Sequence, residues 1–416
     1  MDHGKGLLMG ARMMAGQATS AREYPFARTS PLEPPPELAE VRDAEPVGKV
    51  RLWDGSSAWL VTRYADVRQA LIDPKISSDT TRPGFPQASA TAVQFRKGQR
   101  VFVRMDAPKH DAHRLMLTAD FTVRHVREYR PYLDAMIDDL FSAMEAKQAA
   151  GAAVDLVQDF ALVVPSRVIT RILDLPPEDS EFFLDRVKTS MSLDSTPEQT
   201  ARSGADTLAY FARVIEERGN GDGQDLISRL VRDRVKTGQL TSEELQHILH
   251  LVLVGGFDTT ANMIALGTLV FLQNPVQVAL LRQRPDLVQG AVEELLRYLS
   301  VAHHVAYRQA KEDTLVGGQP VADGDSLIAP LIAANHDPEM FAEPGRFDIT
   351  RDARGHVAFG YGIHQCLGQA LARVELQAVF AKIFDRFPRL GLAVPFESLR
   401  FRNSIIYGVE ELPVTF

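Results

Sequence analysis

The sequence has one cysteine, and the residues around it have types and spacing that could do chemistry: Phe359-Gly360-Tyr361-Gly362-Ile363-His364-Gln365-Cys366-Leu367-Gly368. A lone thiol forms no internal disulfide, no four-cysteine zinc site and no cysteine-held iron–sulfur cluster. Cys366 is therefore an inert buried residue, a single metal ligand or a nucleophile. Gly360 and Gly362 let the backbone pass close to a flat ligand without a side-chain clash. The apolar period downstream predicts a last long helix from about Cys366 to Phe387, ended by Pro388. At the N-terminus of that helix the peptide dipoles lower a thiol's pKa, and backbone N–H groups in the turn can point at the sulfur and tune a metal bound to it.

A second group, Gly255-Gly256-Phe257-Asp258-Thr259-Thr260, lies in an apolar segment with helical period. Each glycine inside a helix costs about 1 kcal/mol relative to alanine, so something other than propensity keeps two of them there. Gly255 and Thr259 are four apart and share a face, which leaves a small hollow beside a hydroxyl, with the Asp258 carboxylate one step around. Close helix packing through small residues also accounts for the glycines, but not for an acid in so apolar a run. A third pair, Glu294-x-x-Arg297, is ordinary on helix surfaces when taken alone. Glu244 and His247 share a spacing used in di-iron bundles, but no second copy occurs, so both are expected to be solvated helix residues. No phosphate loop, G-x-S-x-G elbow or H-E-x-x-H pair is present, and the glycines of the 219–223 run do not follow a strand.

Positioning these groups takes a large core, and 416 residues with 45% apolar and 24% charged can bury one without disulfides. Forty-six basic against 54 acidic residues give a net charge of -8, which argues against a nucleic-acid partner. Asp2, His3, Lys5 and Arg12 interrupt the N-terminal stretch, so no signal-peptide core is expected. The most apolar stretch, Leu245 to Gln273, contains His247, His250, Asp258 and Asn262, which reads as a helix buried in protein and not as a membrane anchor. A cytoplasmic location follows as the expectation. An irregular arm over residues 1–23 is expected to precede one domain over 24–416, since no convincing linker interrupts the chain. Within it the patterning predicts a short helix near Glu37 to Asp43 and a hairpin of Val47 to Trp53 with Ala58 to Val61 around Asp54-Gly55. A polar loop from Ser77 to Gln99 has the length of a binding lid. Helices should follow from Ala107 to about Leu299, broken at Pro176-Pro177 and at Gly219 to Gly223, then strands near Thr314 to Val316 and Ser326 to Ala329.

Phe-Gly-x-Gly-x-His-x-Cys-x-Gly resembles the haem-binding signature of the cytochrome P450 superfamily at every specified position, and the other motifs fall in that family's order and spacing. The resemblance runs from Tyr24-Pro25-Phe26 through the Asp54-Gly55 hairpin to the closing Tyr407-Gly408-Val409-Glu410-Glu411-Leu412-Pro413-Val414. Those end segments look most like soluble actinobacterial members that oxidise macrolides, sterols and similar bulky apolar molecules. The resemblance implies a mainly α fold, a triangular helical domain with a small β-rich subdomain, holding haem b between the Gly255–Thr260 helix and the Cys366 loop. By the same resemblance Cys366 is the iron ligand, while Phe359, Gly360 and Gly368 shape its loop. His110, Arg114, Arg308 and His364 would supply cations for the two haem propionates. Gly255 would border the haem, and Asp258 and Thr259 would deliver protons to bound dioxygen. Within Phe341-Ala342-Glu343-Pro344-Gly345-Arg346-Phe347-Asp348-Ile349-Thr350-Arg351, Arg346 would join Glu294 and Arg297 in a buried structural cluster. Gly345 stands there where many relatives have an acid. Substrate-facing positions map to the lid, Val252, Gly255, His303, Val305, Ile405 and Ile406. His303 and His304 could anchor a polar group, although core-satisfied or exposed histidines are the plainer reading.

The implied activity is hydroxylation or epoxidation of a bulky apolar small molecule such as a natural product, with dioxygen as co-substrate. The chain has no room for a flavin or iron–sulfur domain. Electrons from NAD(P)H would therefore arrive through a separate ferredoxin and ferredoxin reductase, and the enzyme is expected to be a monomer. The N-terminal third and the C-terminal end also resemble fungal nitric oxide reductases, which take hydride directly from a nicotinamide cofactor; Asp258-Thr259 argues against that reading. A non-catalytic haem sensor or carrier would keep Cys366 and have no use for a proton relay.

Overall fold

In a computed structural model, described over residues 22–90, 92–93, 101–192, 194–219, 221–402 and 404–416, helices dominate and the short strands form a six-stranded, a three-stranded and a two-stranded sheet. Six strands make a mixed sheet: β1 (Arg22–Glu23), β2 (Val47–Arg51), β3 (Ser57–Val61), β4 (Ile76–Ser77), β5 (Tyr307–Ala310) and β6 (Ser326–Ile328). Their order is β1-β2-β3-β6-β5-β4. The expected hairpin is β2 with β3, antiparallel with Val47 opposite Val61, and Gly55 turns it at φ 82. Parallel pairing of β3 with β6, Trp59 opposite Leu327, ties the early chain to a segment some 270 residues later. Val47, Val61, Val67, Val316 and Leu327 bury their side chains in a core beneath this sheet.

The helices that frame the site are α1 (Tyr64–Ile72), α2 (Lys109–Thr118), α3 (Ser242–Gln273), α4 (Val288–Leu299) and α5 (Gln369–Phe380). Helix α3 starts at a reciprocal cap, in which Thr241 and Glu244 satisfy each other's backbone N–H groups at 2.9 and 3.1 Å. Its 32 residues are long and apolar enough to cross a membrane by length and composition, yet most of the apolar window is buried inside the protein. Gly267 permits the close approach: a Cβ there would lie 2.8 Å from the Phe380 ring and 3.2 Å from Leu295. Through that contact α3 packs on both α5 and α4. Leu266, Leu269, Phe271, Leu295 and Phe380 are buried around it, and each such side chain contributes about 1.5–3 kcal/mol relative to exposure.

Several expectations hold. The short helix spans Pro36–Ala44, and the chain breaks at the Pro177–Asp179 turn and between Arg218 and Leu226. Strand Thr314–Val316 pairs antiparallel with Gln319–Val321. One differs: the last long helix begins at Gln369, not Cys366, and stops at Phe380, with a separate turn over Ile383–Arg386. The reason is that residues 359–368 form a closed loop whose backbone bonds run back on themselves, so helical bonding starts only after Gly368. Of the expected lid, Ser77 ends β4, residues 78–89 are turns, bends and irregular backbone, and residues 90 and 92–93 are helical; the segment is tied down where Arg82 Nε donates to Gln309 at 2.9 Å. The rest of that loop, like residues 1–21 of the arm, lies outside the described residues.

Candidate active site

The cysteine loop is built by left-handed glycines and pinned to α1. Gly360 and Gly362 sit at φ 74 and 75, and a Cβ on Gly362 would lie 2.9 Å from Ile72 and 3.0 Å from the Leu71 carbonyl. Cys366 N–H donates to the Phe359 carbonyl at 2.8 Å and Gln365 N–H to Gly362 at 3.0 Å. The Arg68 guanidinium stacks 4.1 Å above the Tyr361 ring and donates to its hydroxyl. The thiol receives backbone N–H groups from Gly368 and Gln369. Burial nevertheless pushes it above its ordinary pKa, outweighing those donors and the charges of Arg114 and Arg373. This is the reverse of the lowering expected from a helix terminus alone, because desolvation outweighs the peptide dipoles. A bound metal cation inverts the balance, since a coordinating thiol is deprotonated. Cys366 still presents accessible surface although it lies deep among protein atoms, so that surface is the wall of an internal space.

Four basic side chains from three segments converge at this loop. The rings of His110, on α2, and His364 meet edge to face with centroids 4.4 Å apart. Arg114, one turn along α2, is close enough to Cys366 to act on its charge, and Arg308, on β5, acts on His364. Burial first, then Arg308, His110 and Arg114, hold His364 down at about 3. His110 Nδ1 bonds Asp111 at 2.7 Å, whereas His110 Nε2 and His364 Nδ1 are buried without a partner among the described residues. Cations crowded together with unmet ring nitrogens make a place for anionic groups.

On α3 the two adjacent glycines do different things. A Cβ on Gly256 would lie 2.9 Å from Ile169, so this glycine serves helix packing. A Cβ on Gly255 would meet nothing within 4 Å, and Gly255 is exposed on a helix whose neighbours are buried. Thr259 Oγ1 donates to the Gly255 carbonyl at 2.7 Å. Asp258 turns the other way and is fully buried, its Oδ1 accepting from Arg402 at 2.8 Å and from Asn262 at 3.1 Å. The acid and the alcohol are therefore neighbours in sequence that bond to different parts of the protein. Val252 is buried one turn before Gly255. The 302–304 and 405–406 segments are brought together, with the Ile405 carbonyl accepting from His303 and His304 N–H at 3.3 and 3.4 Å. Val305 is exposed, and the Nε2 of His303 accepts from Arg28 at 2.7 Å.

Glu294 and Arg297 are both fully buried and joined by paired bonds of 2.7 and 2.8 Å. The third member of their cluster is Arg351, whose Nε lies 3.2 Å from Glu294, and not Arg346 as expected. Glu343 adopts a left-handed φ of 47, and the turn it starts sends the Arg346 side chain outward, 61% exposed, to Glu343 and Asp348. Only the Arg346 carbonyl faces Arg297. A second ionic cluster went unread in the sequence. Glu293 accepts from Arg373 at 2.7 and 3.0 Å and from His356 at 3.1 Å, and Arg373 lies 4.6 Å over the Phe359 ring. Burial alone would raise the Glu293 pKa, but the bonds from His356 and Arg373 and their charges hold it down at about 2. The available signal was a pair of adjacent glutamates on one helix and an arginine on the next. Glu244 closes the α3 cap, and His247 is buried, so the latter is not the solvated residue expected. Among the described residues no group of three or more His, Cys, Asp or Glu side chains could hold a metal.

Comparison with known proteins places this arrangement. The sequence profile described as Cytochrome P450 matches residues 48–199 and 207–390. The chain is 45% identical over 387 residues to Cytochrome P450-SU2 of Streptomyces griseolus, covering 93% of this chain and 94% of that one. To the Vitamin D3 dihydroxylase of the same organism it is 40% identical over 403 residues, 96% of this chain and 98% of the relative. The crystal structure of mycinamicin VIII C21 methyl hydroxylase MycCI from Micromonospora griseorubida, bound to mycinamicin VIII, superposes with a TM-score of 0.89 at 35% identity, covering 95% of this chain and all of that one. A mainly helical fold with a small sheet, a lone thiol at the head of its helix and likeness along nearly the whole chain agree: the protein belongs to the cytochrome P450 family of haem-dependent monooxygenases.

Proposed function

We propose that this enzyme inserts one oxygen atom of dioxygen into a bulky, mostly apolar small molecule, with Cys366 as the thiolate that would hold the iron of haem b. The observation that carries the assignment is the Cys366 thiol, opened onto an internal space and met by the Gly368 and Gln369 N–H groups. The residues present fit a haem. Two buried imidazole nitrogens without partners, on His110 and His364, suit the propionates together with Arg114 and Arg308, and the open space at Gly255 suits a flat macrocycle. When bound, haem supplies electron uptake and oxygen activation, favoured by thiolate ligation.

The chain's own residues then have separate tasks. Gly368 and Gln369 temper charge on the sulfur. Gly255 leaves room, and Thr259 holds a hydroxyl proton beside it on the Gly255 carbonyl. Asp258 adds a carboxylate on the same helix, kept in place by Arg402 and Asn262, that can relay a proton towards Thr259. Relatives named for vitamin D3 and for mycinamicin VIII support a large apolar substrate. Enzymes of this family draw electrons from NAD(P)H through partner proteins; for this chain we take these to be a ferredoxin and its reductase, and the enzyme to be a cytoplasmic monomer folded as one domain over residues 24–416.

The test is reconstitution with ferredoxin, reductase and NAD(P)H against a panel of macrolides and secosteroids. A member of the panel should displace iron-bound water, seen as a spin-state shift, and yield a product carrying one atom from isotopically heavy dioxygen. NADH oxidation driven by nitric oxide with no partner protein, and no labelled product, would reverse the assignment in favour of a nitric oxide reductase.

A further inference from the structure

Arg28 is a half-buried cation without a counter-ion among the described residues. Its guanidinium donates to the Pro31 and Glu33 backbone carbonyls and to His303 Nε2, and it lies 4.2 Å over the Tyr407 ring. No carboxylate among the described residues pairs with it, and its Nε is buried with no hydrogen-bond partner. The Arg28–His303 bond has one polarity only, since a guanidinium can only donate, so His303 is the neutral acceptor. Burial, then the charge of Arg28, keeps the imidazole well below its ordinary pKa. His303 stacks on Tyr407 at 4.9 Å and Tyr407 on Phe401 at 5.9 Å, which fixes the whole assembly. Burial lowers the Arg28 pKa to about 10, which leaves it charged at neutral pH. A charge largely withdrawn from water with no counter-ion is costly, and an anion bound beside it offsets that cost.

That charge faces a cavity of about 330 Å³ with no Asp or Glu in its lining. Tyr24, Phe26, Leu38 and Ile332 give it apolar walls, and Arg28 and Tyr407 give it a cationic, hydrogen-bonding end. Arg402, which also reaches the cavity, carries a charge already partly neutralised by Asp258. A volume of this order holds a small organic molecule, and a planar guanidinium is matched in shape and charge by a carboxylate. We propose that the cavity between residues 24–28 and the 303–304 and 404–407 segments is a binding site for an amphipathic carboxylic acid, the carboxylate on Arg28 and the apolar body along Tyr24, Phe26, Leu38 and Ile332. The acid is either the tail of a substrate whose other end reaches the reaction centre or a separate ligand; the carboxylate chemistry is common to both. The site is independent of the assignment of Cys366.

The experiment uses holoenzyme and two probes, laurate and its neutral analogue dodecanamide, with binding read by calorimetry and haem spin state read in parallel. Laurate should bind at least about tenfold more tightly than dodecanamide, the factor that about 1.4 kcal/mol represents. Arg28→Gln should erase that preference, and Arg28→Lys, which keeps the charge but loses the planar fork, should retain part of it. An unchanged circular dichroism spectrum and carbon monoxide spectrum certify each variant as folded. A spin-state shift with laurate assigns the carboxylate to a substrate, and binding without a shift assigns it to a separate ligand. Equal affinity for the two probes in the wild type, or a preference that survives Arg28→Gln, overturns the proposal.

Discussion

Asp258 Oδ1 accepts a 2.8 Å hydrogen bond from Arg402, a residue 144 positions later, while the hydroxyl of adjacent Thr259 bonds to its own helix. The pair is fully buried on the acid's side, and Asp258 Oδ2 has no hydrogen-bond partner among the described residues. The position of this carboxylate is thus set by the C-terminal segment as well as by its own helix.

Removing the guanidinium should leave a buried acid with only Asn262. Arg402→Ala is expected to destabilise the enzyme by about 3–5 kcal/mol, the cost of breaking a buried pair. Asp258→Asn replaces the carboxylate by an amide that cannot relay a proton, keeps the shape and should be milder for stability. It should slow product formation by about 10²-fold or more, as loss of general acid catalysis does. Thermal unfolding and steady-state turnover of both variants check this.

The Thr259 hydroxyl donates to the Gly255 carbonyl, its one bond among the described residues. Thr259→Ala should leave substrate-induced spin shifts unchanged while diverting reducing equivalents to peroxide. The measurement is peroxide formed per NAD(P)H consumed. Unaltered coupling would remove Thr259 from proton delivery.

Glu294, Arg297 and Arg351 form the buried cluster, and Arg346 stands outside it. Arg351→Ala should cost several times more stability than Arg346→Ala, which loses exposed pairs only and should change stability by less than about 1 kcal/mol. Haem retention on heating should follow the same order.

Much of this site was legible in the sequence because it is local. Gly360, Gly362 and Cys366 are close together, and their glycine spacing encodes the left-handed turns that Ile72 and Leu71 require. His110 and Arg114 could be placed together because they lie one helical turn apart. What could not be read is pairing across the fold. Arg346 and Arg351 are equally good partners for Glu294 on paper, and only the turn begun by Glu343 decides between them. Arg402 has no motif at all; its partner is chosen by how the C-terminal segment lies on α3. The thiol's pKa was misjudged for a related reason, since desolvation depends on the whole surrounding structure.

Glu293 makes stability depend on acid. Its folded pKa, about 2, lies below the ordinary 4.5, so its contribution is fully present above the unfolded value and is lost as pH falls from about 4.5 towards 2. The shift corresponds to about 3 kcal/mol. Glu293→Gln should therefore unfold at lower temperature than wild type at pH 7, and the gap should close through that acid window. A gap that stays constant from pH 7 to pH 3 would show that the Glu293–Arg373–His356 bonds add nothing.

The central claim is that Cys366 is the thiolate ligand of haem. The direct measurement is the absorption spectrum of the reduced, carbon monoxide-bound enzyme beside that of Cys366→Ala. The wild type should show the red-shifted Soret band of thiolate ligation, and the variant should lose it, with no second cysteine on the chain to restore it. A histidine-type spectrum in the wild type, or a red-shifted band that persists in Cys366→Ala, would contradict the account.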